Sequence, residues 1–181
     1  MDNIKITIAL IIAVLLQWTL RNVAEPLGYI DLPLIIVVYA ALQRDAVKAV
    51  LFGTVSGLAV DALSGGLLGA NGFSKTLVAY IVSELARRVY MDNLLLRIPV
   101  IAGACLLDDV IYYGLHRLFG QEPAAPVMVT IAYTLIGTTV VGTAIFLLLD
   151  NLLTDRVRPR KREVFPSRRT TRRRNPIRLS K

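Results

Sequence analysis

Asp61-Ala-Leu-Ser-Gly-Gly-Leu-Leu-Gly-Ala-Asn-Gly-Phe-Ser-Lys75 lies between two apolar runs, each read as a membrane crossing. It carries Gly65, Gly66, Gly69 and Gly72, opens with an acid and closes with a base. Charged groups at lipid depth are costly and tend to mark function. Working outward, the helix before the turn carries Gly53, Gly57 and Asp61 at i, i+4, i+8. That spacing puts them on one helix face. Small residues four apart let a second backbone approach closely, either as a plain helix contact or as a groove leading a partner to Asp61.

The composition fits a membrane protein. Of 181 residues 55% are hydrophobic, only 19% are charged, and the mean hydropathy is +0.58. The charges are also segregated. Residues 1–154 hold 9 Lys/Arg and 11 Asp/Glu, a net of −2, and residues 155–181 hold 12 and 2, a net of +10, together the +8 of the chain. The basic balance therefore belongs to a tail. We divide the chain into a six-span domain, 1–154, and a basic tail, 155–181, whose charge and prolines favour disorder. A lone cysteine, Cys105, permits no internal disulfide and no zinc motif.

Six spans are expected, near Ile4–Leu20, Leu32–Leu42, Ala46–Leu63, Gly72–Arg88, Leu94–Leu115 and Val127–Leu149. The first is read as retained, because no cleavage-type small residues follow it. The second has only 11 residues, or ~17 Å of helix, against a hydrocarbon core of ~30 Å. The loop before it is therefore expected to dip into the membrane under cover of neighbouring helices. Asp31 is its candidate N-cap, with Pro33 in the first turn. Thr130, Thr134 and Thr138 line one face of the last span, suited to interhelical hydrogen bonds.

With six spans both termini share a side. The corners there carry Arg44, Lys48, Arg87, Arg88 and Arg97, and the tail adds to them. The positive-inside rule then places both termini in the cytoplasm. A five-span chain, with Leu32–Leu42 not crossing, would send the basic tail outward and is disfavoured. In the six-span frame Asp61, Lys75, Asp108 and Asp109 lie at similar depths. Pairing of Lys75 with Asp61 or Asp108 is the economical solution, and Asp61–Lys75 is the pair expected to shape the turn.

Catalytic signals are weak. No nucleophile–His–acid set, P-loop or metal-ligand spacing is visible. Asp108 and Asp109 are adjacent on a helix and point about 100° apart, poorly placed for shared acid–base work. The chain is read as non-enzymatic, with no cofactor.

The residues quoted above resemble the bacterial rod shape-determining protein MreD family over roughly residues 5–150. Three features carry the likeness: the acid-led run Asp31–Arg44, the Asp61-x-x-Ser64-Gly65-Gly66-x-x-Gly69 pattern, and the Arg87-Arg88 corner. The resemblance implies an all-α six-helix inner-membrane protein, similar in fold to the substrate-binding subunits of energy-coupling-factor transporters. It also implies a scaffold of the cell-elongation complex. The bitopic protein MreC would be its direct partner. The actin-like MreB filament, the RodA polymerase and a class B penicillin-binding protein would be reached indirectly. Candidate partner-binding residues are Asp31, Gly53, Gly57, Asp61, Ser64, Gly65, Gly66, Gly69 and Lys75. In the tail, Arg156, Arg158, Arg160, Lys161 and Arg162 are assigned to anionic lipid, and no nucleic acid is expected. The rival function is a small-molecule-binding transporter subunit, with Lys75 or Arg21 facing an anionic group.

The topology is directly testable. A cysteine placed at Gln121 should react with an impermeant thiol reagent added outside the cell, and one at Ser167 should not. The reverse labelling would overturn the depth argument.

Overall fold

In the computed structural model the described residues are 2–23, 28–89, 94–121 and 126–153. They form six helices and no strand: α1 (Asp2–Val23), α2 (Leu32–Ala41), α3 (Ala46–Ser64), α4 (Ala70–Arg88), α5 (Leu94–Leu118) and α6 (Val127–Leu153). The basic tail, with Arg156, Arg158, Arg160, Lys161 and Arg162, lies outside the described residues. Each expected span is a helix, and most run a few residues longer than the sequence suggested. Four are long and apolar enough to cross a membrane, in α1, α3, α5 and α6. Polar Asn71, Ser74, Lys75, Thr76, Ser83 and Glu84 keep α4 outside that group.

The short helix is the centre of the bundle. All ten residues of α2 are buried, and α1, α3, α4, α5 and α6 all touch it. It is hydrophobic all round, as a helix enclosed on every side should be. The N–H groups at its N-terminus are met by side chains. Gln17 Oε1 of α1 accepts from Leu32 N at 3.1 Å, and Thr138 Oγ1 of α6 accepts from Asp31 N at 3.1 Å. Asp31 Oδ1 caps Leu34 N at 2.9 Å. Side chains from two neighbouring helices thus meet the backbone at the start of α2. Of the three threonines expected to bond across helices, Thr138 binds Asp31, whereas Thr130 and Thr134 donate back to carbonyls one turn earlier. That back-bonding is the local alternative open to any helical threonine.

Outside this core the surface is apolar. Ile4, Ile8, Ile11 and Leu15 on α1, and Val47, Leu51, Val55 and Leu58 on α3, are exposed. The interior, by contrast, encloses Ser56, Asp61, Ser74, Lys75, Ser83, Asp108 and Thr138. A lipid-facing exterior around a polar centre is the arrangement a bilayer favours.

Helices α3 and α4 form the tightest hairpin. A Cβ on Gly53 would sit 2.7 Å from the Lys75 carbonyl oxygen, and one on Gly57 would overlap the Asn71 carbonyl and Gly72 Cα. Thr54 and Thr76 hydroxyls meet at 2.8 Å between the same helices. The expected groove at Gly53 and Gly57 therefore exists but is filled by α4 of the same chain. No room remains there for a partner's helix, which corrects that assignment.

The α2–α3 corner is polar. Arg44 takes a positive φ of 67°, and Asp45 caps α3 at Lys48 N, 3.2 Å away. The Lys48 ammonium, 2.9 Å from Asp45, holds that exposed carboxyl below its usual range.

Candidate functional site

Lys75 is the organising residue. Its side chain is completely enclosed, and its Nζ donates to Asp31 Oδ2 at 2.5 Å and Asp108 Oδ2 at 2.8 Å. Asp31 starts α2, Lys75 belongs to α4 and Asp108 to α5, so one ammonium joins three helices. Asp31 serves twice, one oxygen capping α2 and the other receiving the lysine.

Asp61 does not pair with Lys75. It is buried, and its two oxygens receive the start of α4 instead. Oδ2 accepts from Gly69 N at 2.9 Å and Gly72 N at 3.1 Å, and Oδ1 accepts from Asn71 N at 3.2 Å and Asn71 Nδ2 at 2.8 Å. A carboxylate is favoured at a helix N-terminus, where unsatisfied N–H groups carry partial positive charge. Gly69, the N-cap position, has no side chain to do this, and Asp61 supplies the cap from the preceding helix. This corrects the expected Asp61–Lys75 pair: the acid's charge is met by backbone dipoles, which a search for an opposite charge overlooks. The alternative partner, Asp108, is the one observed, and Asp31 joins it.

The turn itself separates into two kinds of glycine. Gly65 (φ 66°) and Gly69 (φ 96°) occupy the left-handed region, where a side chain is strained. Gly66 does not, and a Cβ there would make only ordinary contacts with Ser64 Oγ and Tyr112 Oη. Ser64, Gly65, Gly66 and Leu68 are exposed, so the tip of the turn is an accessible surface.

Beside the Lys75 cluster is a cavity of about 480 Å³, walled by residues of α1, α3, α4, α5 and α6 and by the stretch before α2. Asp31, Asp108 and Asp109 line it with Gln17, Arg21, Asn71, Tyr112, Tyr113, Thr130 and Thr134. Asp109 makes no contact with Lys75 and has Cys105 Sγ 4.0 Å away. His116 binds the Tyr112 carbonyl at 3.0 Å and stacks on that ring, a packing role at the end of α5. Among the described residues no group of three His, Cys, Asp or Glu is arranged to hold a metal ion.

Sequence reasoning missed the role of Gln17 and the double role of Asp31. A signal for Gln17 existed: a polar side chain inside an apolar run needs a partner. For Asp31 the capping pattern was visible, but nothing local linked it to a lysine 44 positions later.

These features define a class: a helical membrane protein whose interior is tied by buried ions and helix caps. The family described as rod shape-determining protein MreD matches residues 3–155, and the chain belongs to that family. Among curated proteins and solved structures, none matches the chain significantly.

The cap at Asp61 makes a specific prediction. Asp61→Ala leaves the N–H groups of Gly69, Asn71 and Gly72 without their acceptor, each an unsatisfied donor worth ~1–3 kcal/mol. Asp61→Asn keeps one acceptor oxygen. Thermal unfolding in detergent should therefore show a smaller loss for Asn than for Ala. Equal losses would mean that the charge, not the cap, is what the fold needs.

Proposed function

We propose that the chain is a non-enzymatic scaffold of the cell-elongation complex in the bacterial inner membrane. It would bind a bitopic MreC-like partner and help to position peptidoglycan synthesis, with MreB, RodA and a class B penicillin-binding protein reached through that partner. The family match over residues 3–155 carries this reading. The geometry supports it, because the polar machinery of the interior is spent on holding helices together. The six helices would all lie within the bilayer, both termini in the cytoplasm. The proposed likeness in fold to energy-coupling-factor substrate-binding subunits rests on the family resemblance.

The partner-facing element in this proposal is the exposed tip of the α3–α4 turn, at Ser64, Gly65, Gly66 and Leu68, with Phe73 exposed one helical turn into α4. Gly53, Gly57, Asp61, Gly69, Lys75 and Asp31 act from behind, by fixing the turn rather than by touching a partner. The tail residues Arg156, Arg158, Arg160, Lys161 and Arg162 would rest on anionic lipid, at ~1 kcal/mol per basic residue near the surface.

The rival, a small-molecule-binding subunit of a transporter, is favoured by one observation, the cavity of about 480 Å³, a size typical of ligand sites. An anionic ligand facing Lys75 is not favoured, since two carboxylates already occupy that ammonium.

Gly66→Val and Leu68→Glu discriminate between the two functions. Both positions tolerate a larger or polar side chain without disturbing the Asp61 cap. Membrane levels should hold while recovery of the bitopic partner in mild detergent falls about tenfold, equivalent to ~1.4 kcal/mol. Undiminished recovery with both variants would remove the turn from the interface. Co-purification of ATPase subunits would favour the transporter.

A further inference from the structure

The polar cavity has chemistry that the scaffold reading does not use. Asp31, Asp108 and Asp109 line it, and Arg21 stands at its exposed side. Adding the enclosed Lys75, three acids face two bases, so the cluster carries a net −1 when all are ionised. Asp108 is 4% exposed, and its Oδ1 is buried with no hydrogen-bond donor among the described residues. Asp109 is partly exposed and accepts a weak hydrogen bond from the Cys105 thiol at 4.0 Å. A buried carboxylate oxygen without a donor, as at Asp108, is costly. An ammonium with three N–H groups would satisfy it and reach Asp109 as well. Tyr29, Tyr112 and Tyr113 also line the cavity, and aromatic faces attract cations.

A second opening adjoins the first. A mainly apolar groove of about 430 Å³ is lined by Tyr29, Ile30, Tyr133, Ile136 and Gly137. Tyr29 belongs to both, its ring 5.7 Å from that of Tyr133. Tyr29 is thus a wall common to the groove and the acidic cavity, and the groove's exposed Tyr133 and Ile136 lie on the apolar outer surface of α6.

We propose that cavity and groove together bind a phospholipid whose headgroup ends in a primary ammonium. The ammonium meets Asp108 and Asp109, Arg21 meets the phosphate, and an acyl chain follows the groove past Tyr133. Arginine recognises phosphate well. A quaternary ammonium has no N–H to give the carboxylates, and an anionic headgroup would be repelled by them. The ethanolamine class satisfies each wall in turn.

Full-length protein would be reconstituted in nanodiscs of equal parts phosphatidylethanolamine and phosphatidylglycerol. Retained lipid would then be measured by native mass spectrometry after detergent transfer. The wild type should keep one phosphatidylethanolamine. The ratio of phosphatidylethanolamine to phosphatidylglycerol should fall about tenfold in Asp109→Asn. Thr134→Lys, which places a tethered ammonium in the cavity wall, should lower it similarly. The basic tail is the same in all three proteins, so its attraction for phosphatidylglycerol cancels. The Lys75 ion pairs are made to Asp31 and Asp108 and not to Asp109; if the Asp109 variant nevertheless fails to elute as a single folded species, Thr134→Lys decides alone. An unchanged ratio in the folded variants, or retention of phosphatidylglycerol in preference by the wild type, would overturn the proposal.

Discussion

One enclosed ammonium holds this bundle together. Lipid gives helices no hydrophobic reason to associate, since its tails are as apolar as their side chains. Cohesion must come from packing and from polar contacts made away from lipid. Lys75 supplies one that ties three helices, joined to Asp31 on one side and Asp108 on the other. Desolvating three charged groups costs several kcal/mol per ion, and the attraction offsets this only with good geometry and satisfied oxygens. Two short contacts to Lys75 and the cap to Leu34 meet most of that requirement. The unpartnered Oδ1 of Asp108 is where it is not met.

The rest of the architecture follows from placing α2 inside. A ten-residue helix cannot reach across a bilayer by itself, and every residue of this one is buried among its neighbours. Gln17, Thr138 and Asp31 satisfy the N–H groups at its start from three different segments. The same carboxylate that caps α2 then orients Lys75, so capping and ion pairing depend on one another. Close approach of α3 and α4 at Gly53 and Gly57 seats the backbone of α4 around Lys75 directly against α3. Asp61 fixes where α4 begins.

Much of this was legible in the sequence. Apolar run lengths gave the helices, and the shortness of Leu32–Leu42 marked an element needing cover. Asp31 as a cap and the Gly53–Gly57 contact both follow from local rules. The partners of the buried charges do not. Depth arguments offered Asp61 and Asp108 equally to Lys75, because depth alone says nothing about rotation around a helix. Asp61 and Lys75 lie fourteen residues apart in one hairpin, yet α4's own N–H groups reach Asp61 first. Asp31 was assigned its backbone role and not its second oxygen, because a carboxylate's two acceptors can serve different helices.

The most direct test is a thermodynamic cycle on the Lys75 cluster in detergent. Lys75→Met alone strands the buried Asp108 and the partly exposed Asp31 and should cost ~3–5 kcal/mol of unfolding free energy. The triple variant Lys75→Met, Asp31→Asn, Asp108→Asn removes all three charges and keeps an acceptor for Leu34. It should be more stable than Lys75→Met alone. A triple variant whose loss equals the sum of the separate losses would show that these residues do not act together, and the central claim would fail.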